Sequence, residues 1–130
     1  ALFRSETGAP SASPADIIRG SRGDLPELPG TVDNPLWRRT NWWIEWETFR
    51  QEQERAPESL EEYVDWSQSR QARALVKAMA ETKNRFPAVG GLLLWMGHDS
   101  FPCTANTAIV DMYGRPKPAA LALREVCRNI

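Results

Sequence analysis

Cysteine and histidine are scarce: Cys103, Cys127 and the lone His98 in 130 residues. Two cysteines cannot staple a disulfide framework, and with one histidine they are poor material for a zinc site. Charge of one sign is missing too. The 16 basic residues face 17 acidic ones, a formal net charge of −1. That argues against non-specific nucleic-acid binding, which needs a basic stripe. No apolar run approaches the roughly 18 residues of a membrane span; the longest, Leu92 to Met96, is strand-sized. No basic flank followed by an apolar core opens the chain, so no signal peptide is visible. What is there is ordinary globular composition, 42% hydrophobic and 25% charged, at a length near one domain. Six tryptophans stand out (Trp37, Trp42, Trp43, Trp46, Trp66 and Trp95). They ask for an aromatic surface or a large core.

Along the chain, residues 1–6 read as a short apolar strand, broken by Gly8 and Pro10. Ser13-Pro14-Ala15-Asp16 carries a helix-start signature: a Ser cap, Pro at the first helical position and an acid in the first turn. Residues 20–36, rich in glycine and proline, are a long loop of the kind that is functional or mobile. Thr40 or Asn41 then caps a helix to about Arg55, with Trp42, Trp46 and Phe49 on one face. Pro57 ends it. Ser59 and Glu62 form a capping box that opens a long helix to about Asn84. Its buried stripe is Ala72, Leu75, Val76 and Met79. Phe86-Pro87 stops it. Gly90 to Trp95 is a continuous apolar run without alternation, as in strands buried on both faces of parallel sheets. A polar loop to Thr107 and a last helix from Arg115-Pro116-Lys117-Pro118, with Leu121, Leu123 and Val126 apolar, complete the chain. Two β/α units in series imply a parallel pair of strands joined by a right-handed crossover.

A strand that ends on a carboxylate and runs into a long loop is an arrangement used by (β/α)₈ barrels, whose reactive groups sit at the C-terminal ends of strands. The first strand ends at Glu6. The second ends at Trp95, with His98 and Asp99 following. A carboxylate beside an indole suits a sugar, because aromatic faces stack on the C–H faces of pyranose rings. Three strings carry a sharper likeness. The segment from Phe3 to Ser11, with Ser5-Glu6-Thr7-Gly8 at its centre, resembles the strand-seven motif of glycoside hydrolase family 2. Gly91 to Pro102 resembles strand eight of that family, and Ile109 to Ala119 resembles its run into the last barrel helix. Asn34 to Trp46 and Ser59 to Ala74 are similar to its strand-seven to helix-seven region, in the β-mannosidase-like branch. Thr7 stands where an aromatic is common, and Met96, Gly97 and His98 replace the more usual Gln-Leu-Asn in a loop that, by the resemblance, helps line the pocket.

The resemblance implies an α/β fold. It would be a partial TIM barrel holding strands seven and eight with their following helices, helix-rich, with a long loop insertion. Residues 1–58 would hold strand seven and the Trp-rich region; residues 59–130 would hold helix seven, strand eight and helix eight. It implies a retaining glycosidase with Glu6 as nucleophile and no metal or organic cofactor. The acid/base residue comes from strand four in the family. No Asn-Glu pair occurs in this sequence, so the isolated chain is expected to be inactive and to need the remainder of the barrel. Trp95 matches the floor of the sugar subsite. Asp99 would bond a sugar hydroxyl or a neighbouring loop, and His98 lies in the same lining loop. The tryptophans of the loop pack it onto the barrel or line the leaving-group side, with Trp37 or Trp42 expected to face the cleft. Asp111 and Tyr113 are expected to fix the turn into the last helix. Glu45, Glu47, Glu61, Glu62 and Glu81 are read as solvated helix faces. The alternative class is a non-catalytic carbohydrate-binding module or a structural domain derived from a barrel half. Free cysteines favour a reducing compartment such as the cytoplasm.

Overall fold

A computed structural model describes residues 2–128. Ala1 of the expected first strand and residues 129–130 of the expected C-terminal region lie outside them. The fold is helix-rich α/β. Strand β1 (Leu2–Thr7) pairs in parallel with β3 (Val89–Leu94), with Arg4 opposite Leu92 and Thr7 opposite Leu94. Between them run β2 (Ser11–Ala12), α1 (Ala15–Ser21), α2 (Pro35–Arg38), a 3₁₀ turn at Asn41–Trp43, α3 (Trp46–Gln53) and α4 (Leu60–Asn84). After β3 come β4 (Ala105–Asn106) and α5 (Pro118–Arg128).

Helix α4 starts where the Ser59 signature places it, since Ser59 Oγ accepts the Glu62 N–H at 3.1 Å. The other half of the box differs. The Glu62 carboxylate accepts the Glu58 N–H at 2.8 Å and N–H bonds from the two terminal guanidinium nitrogens of Arg55 at 2.6–2.7 Å. The Arg55 bonds, then the Glu58 N–H, hold its pKa down at about 2. Leu75 of α4 meets Ala119 and Leu123 of α5, and Ala72, Val76, Met79, Leu94 and Ile109 pack around them. This is the stripe read from the 3.6-residue period. Leu121 faces outward instead.

Three local expectations fail. Ser13 does not cap α1: it is buried, donates its N–H to Thr104 O at 2.9 Å and places its hydroxyl against Cys103 Sγ. The expected single helix from Thr40 to Arg55 breaks after Trp43, where Ile44 turns extended. Trp46 and Phe49 are therefore buried on α3, while Trp42 stays out. The strand β3 is covered on one face only among the described residues; Leu93 is 52% exposed.

The second core is aromatic. Tyr63 of α4 lies within 5.5–6.2 Å of the rings of Trp37, Trp46, Phe49 and Trp66. A Cβ on Gly30 would come 3.3 Å from the Trp46 ring and 3.5 Å from Trp37, so the loop passes close over these indoles and a side chain there would press on Trp46. The long loop is pinned rather than loose. Asn34 Nδ2 donates to Pro26 O and Pro29 O, and its Oδ1 accepts the Leu36 N–H to cap α2.

The small antiparallel pair of β2 and β4 was not expected. Polar residues of α4 hold it: the Ala12 N–H donates to Ser67 Oγ at 2.8 Å, and Gln68 donates to Ala12 O. Gln71 Nε2 donates to Ala9 O, Thr107 O and Ala108 O. Irregular buried backbone must find partners, and a helix can supply them only with polar side chains. No helix among the described residues is long and apolar enough to cross a membrane.

Candidate functional site

The Thr7–Leu94 pairing orients the site. Leu94 packs toward the α4–α5 core. Glu6 precedes Thr7, in the stretch of β1 between Arg4 and Thr7 where the register slips by one residue, and Trp95 follows Leu94, so the two residues stand at neighbouring strand ends. Both are exposed at the C-terminal ends of two adjacent parallel strands. No hydrogen bond or ion pair ties the Glu6 carboxylate among the described residues.

The backbone around them is tightly held. The Trp95 N–H donates to Thr7 O at 2.8 Å, and Thr107 Oγ1 donates to Trp95 O at 3.1 Å. A Cβ on Gly8 would sit 3.3 Å from Thr107 Cβ and 3.5 Å from Trp95 Cβ. The absent side chain lets the chain turn closely past the indole. Met96 follows with φ +60°, the left-handed region that non-glycine residues adopt at a cost. Trp95, beside that residue, is 46% exposed.

The other expected site residues are distributed differently. Asp99 is 3% exposed. Its carboxylate accepts Asn106 Nδ2 at 2.9 Å and lies 3.9 Å from Lys117 Nζ. Of the two readings of Asp99, the structure shows the loop-holding one, and no open face is left for a sugar hydroxyl. Burial pushes the Lys117 pKa down, while Asp99, Cys103 and Asp111 oppose that shift. His98 is exposed on the same loop. Trp37 is 0% exposed and donates Nε1–H to Glu27 O at 2.9 Å. This removes Trp37 from the pair of which one was expected to face a cleft; a large indole with its one donor satisfied is a core residue. Trp42, at 70% exposed, is the loop tryptophan left facing out.

Glu45 was misread as a solvated helical acid. It precedes α3, and its oxygens accept Ser67 Oγ at 3.1 Å and Arg70 Nε at 3.0 Å. Burial pushes its pKa up against those two partners. A cavity of about 330 Å³ opens beside it, between Ala9–Pro10 and α4; neither Glu6 nor Trp95 lines it. No local signal marks Glu45, because its burial depends on α4 arriving beside it.

Asp111 fixes the turn as expected. Its Oδ1 accepts the N–H groups of Tyr113 and Arg115, and its Oδ2 accepts Arg115 Nε at 2.7 Å. Arg115 reaches on to both oxygens of Asp16 in α1. Burial works against the Asp111 charge, but the donors of Arg115 and Tyr113 outweigh it, and its pKa is lowered. Asp16 is lowered chiefly by its Arg115 hydrogen bonds. Both folded values lie below the unfolded ones. The clamp therefore contributes fully above the ordinary aspartate value of 3.8 and is lost as pH falls through the folded values. Amide-exchange protection of Tyr113 and Arg115 is expected to drop in that acid window before the α4 core opens. An equal loss throughout the chain would count against the clamp.

Among the described residues no cluster of His, Cys, Asp and Glu could hold a metal ion. No protein-family model matches the chain, and no curated protein matches it. Among solved structures, the crystal structure of a β-D-mannosidase from Dictyoglomus thermophilum matches with a TM-score of 0.73 at 24% identity. The match covers 98% of this chain and 16% of that one, so the chain spans about a sixth of that enzyme's length. What the chain shares with this segment of a β-mannosidase is its fold.

Proposed function

We propose that the chain is part of the catalytic (β/α)₈ barrel of a retaining β-glycosidase of glycoside hydrolase family 2, acting on β-mannosides. One observation carries this reading. Glu6 and Trp95 stand exposed together at the C-terminal ends of neighbouring parallel strands, and barrels of this class place their chemistry there. The exposed Leu93, on the face of β3 away from Leu94 and its helix core, supports a barrel interior that the remaining strands fill.

In this reading the Glu6 carboxylate attacks the anomeric carbon as the leaving oxygen departs, forming a glycosyl-enzyme. Water then attacks the same carbon and releases Glu6, with net retention. A second carboxyl about 5–5.5 Å from Glu6 protonates the leaving group and deprotonates the water. It belongs to another part of the longer protein. Trp95 forms the floor under the sugar ring, and Trp42 lies toward the leaving group.

A 2-deoxy-2-fluoromannosyl fluoride slows the second step more than the first and traps the glycosyl-enzyme. Incubated with the longer protein, it is expected to add one fluorosugar to the peptide containing Glu6. The isolated chain is expected to turn over no aryl β-mannoside. Labelling at another carboxylate, or no labelling of an active enzyme, would overturn the Glu6 assignment. Sugar binding without turnover would favour a non-catalytic carbohydrate-binding protein.

A further inference from the structure

We infer that Thr107 is a positioning residue for Trp95, holding the indole through the backbone rather than touching a ligand itself. The functional half of this inference rests on the sugar-floor reading of Trp95; the structural half does not.

Thr107 is buried, and its hydroxyl donates to Trp95 O at 3.1 Å. That oxygen belongs to the peptide joining Trp95 to Met96, the residue with φ +60°. One contact thus orients the peptide plane that follows the indole and braces the left-handed turn beyond it. Such a backbone persists only where its surroundings over-determine it. On the other side, the Trp95 N–H is held by Thr7 O, so both backbone polar groups of Trp95 are fixed. Thr107 Cγ2 would lie 3.4 Å from a Cβ on Gly8, so Thr107 also packs against the turn that follows β1.

Thr107 is itself anchored by a buried chain of polar groups. Its N–H donates to Asn106 Oδ1 at 2.8 Å, and Asn106 Nδ2 donates to Asp99 Oδ1 at 2.9 Å. Lys117 lies 3.9 Å from Asp99 and donates to Ser11 Oγ at 3.1 Å. All five residues are buried. The chain therefore runs from the start of α5 through β4 to the indole. A buried network with satisfied members rigidifies what it touches. This assigns the otherwise inaccessible Asp99 and Lys117 a role behind the site.

The test compares Thr107→Val, which keeps the shape and loses the hydroxyl, with Thr107→Ser, which keeps the hydroxyl. Both are made in the longer protein carrying 5-fluorotryptophan, with the Trp95 fluorine line assigned from Trp95→Phe. Thr107→Val is expected to shift or broaden that line and to raise KM for an aryl β-mannoside about tenfold, with a smaller change in kcat, as loss of uniform binding does. Thr107→Ser is expected to stay within about twofold of the parent. An unmoved Trp95 line in folded Thr107→Val, or equal effects of the two variants, would overturn the inference. A Met96→Gly background removes the cost of the left-handed backbone and allows the comparison if Thr107→Val alone does not fold. A parent protein without β-mannosidase turnover would defeat the proposed function, while the fluorine line still decides the role of Thr107.

Discussion

Glu6→Ala in the longer protein is expected to lower turnover of an aryl β-mannoside on the order of 10⁴-fold or more, because no other group can form the covalent intermediate. The fold should not notice. Glu6 is exposed and bonds to nothing among the described residues, and surface changes of that kind stay within about 0.5 kcal/mol. Removal of the side chain also leaves a small space below the anomeric carbon. Azide can enter there and attack in place of the carboxylate, displacing the aryl group. The product is then an α-mannosyl azide, of inverted configuration, and turnover partly returns. Glu47→Ala, an exposed acid on α3, should change nothing. Activity within tenfold of the parent, or no response to azide, would remove Glu6 from the reaction.

Trp37→Ala is expected to destabilise the protein by about 3–5 kcal/mol, the usual cost of emptying a buried aromatic site. Trp37 is fully buried, meets Tyr63 edge-on at 5.5 Å and ties the loop to the core through Glu27 O. Its loss would leave the Glu27 carbonyl without a donor and remove the wall on which Gly30 rests. Trp42→Ala should leave stability within about 0.5 kcal/mol. Chemical denaturation of the two variants separates them. Equal midpoints would show that the aromatic cluster does not carry the loop, and a Trp37→Ala protein of normal stability with weakened ligand binding would return Trp37 to the cleft.

The strand ends that carry Glu6 and Trp95 were legible because a strand end is a local feature. The burial of Trp37 was not. Nothing within a few residues of it tells a core indole from a cleft indole, since Tyr63, its main neighbour, is 26 positions away in the chain. The same holds for Ser13. Its Ser-Pro-x-Asp context is a sound cap signal, but the pairing of its N–H with Thr104 O turns it inward. Asp99 was readable in two ways, and only the arrival of Asn106 and Lys117 selects one.

Periodicity and capping were enough for α4, its buried apolar stripe, the two parallel strands and the last helix, because these depend on residues a few positions apart. Periodicity says nothing of which polar residues on α4 are buried. Ser67, Gln68 and Gln71 are polar and buried, since they face the irregular backbone of residues 9–12 and 107–108 rather than water. Tertiary packing alone sorted the six tryptophans, drawing Trp37, Trp46 and Trp66 around Tyr63, leaving Trp43 half-buried and Trp42 and Trp95 exposed. Burial depends on distant segments meeting, and no local pattern encodes which ones do.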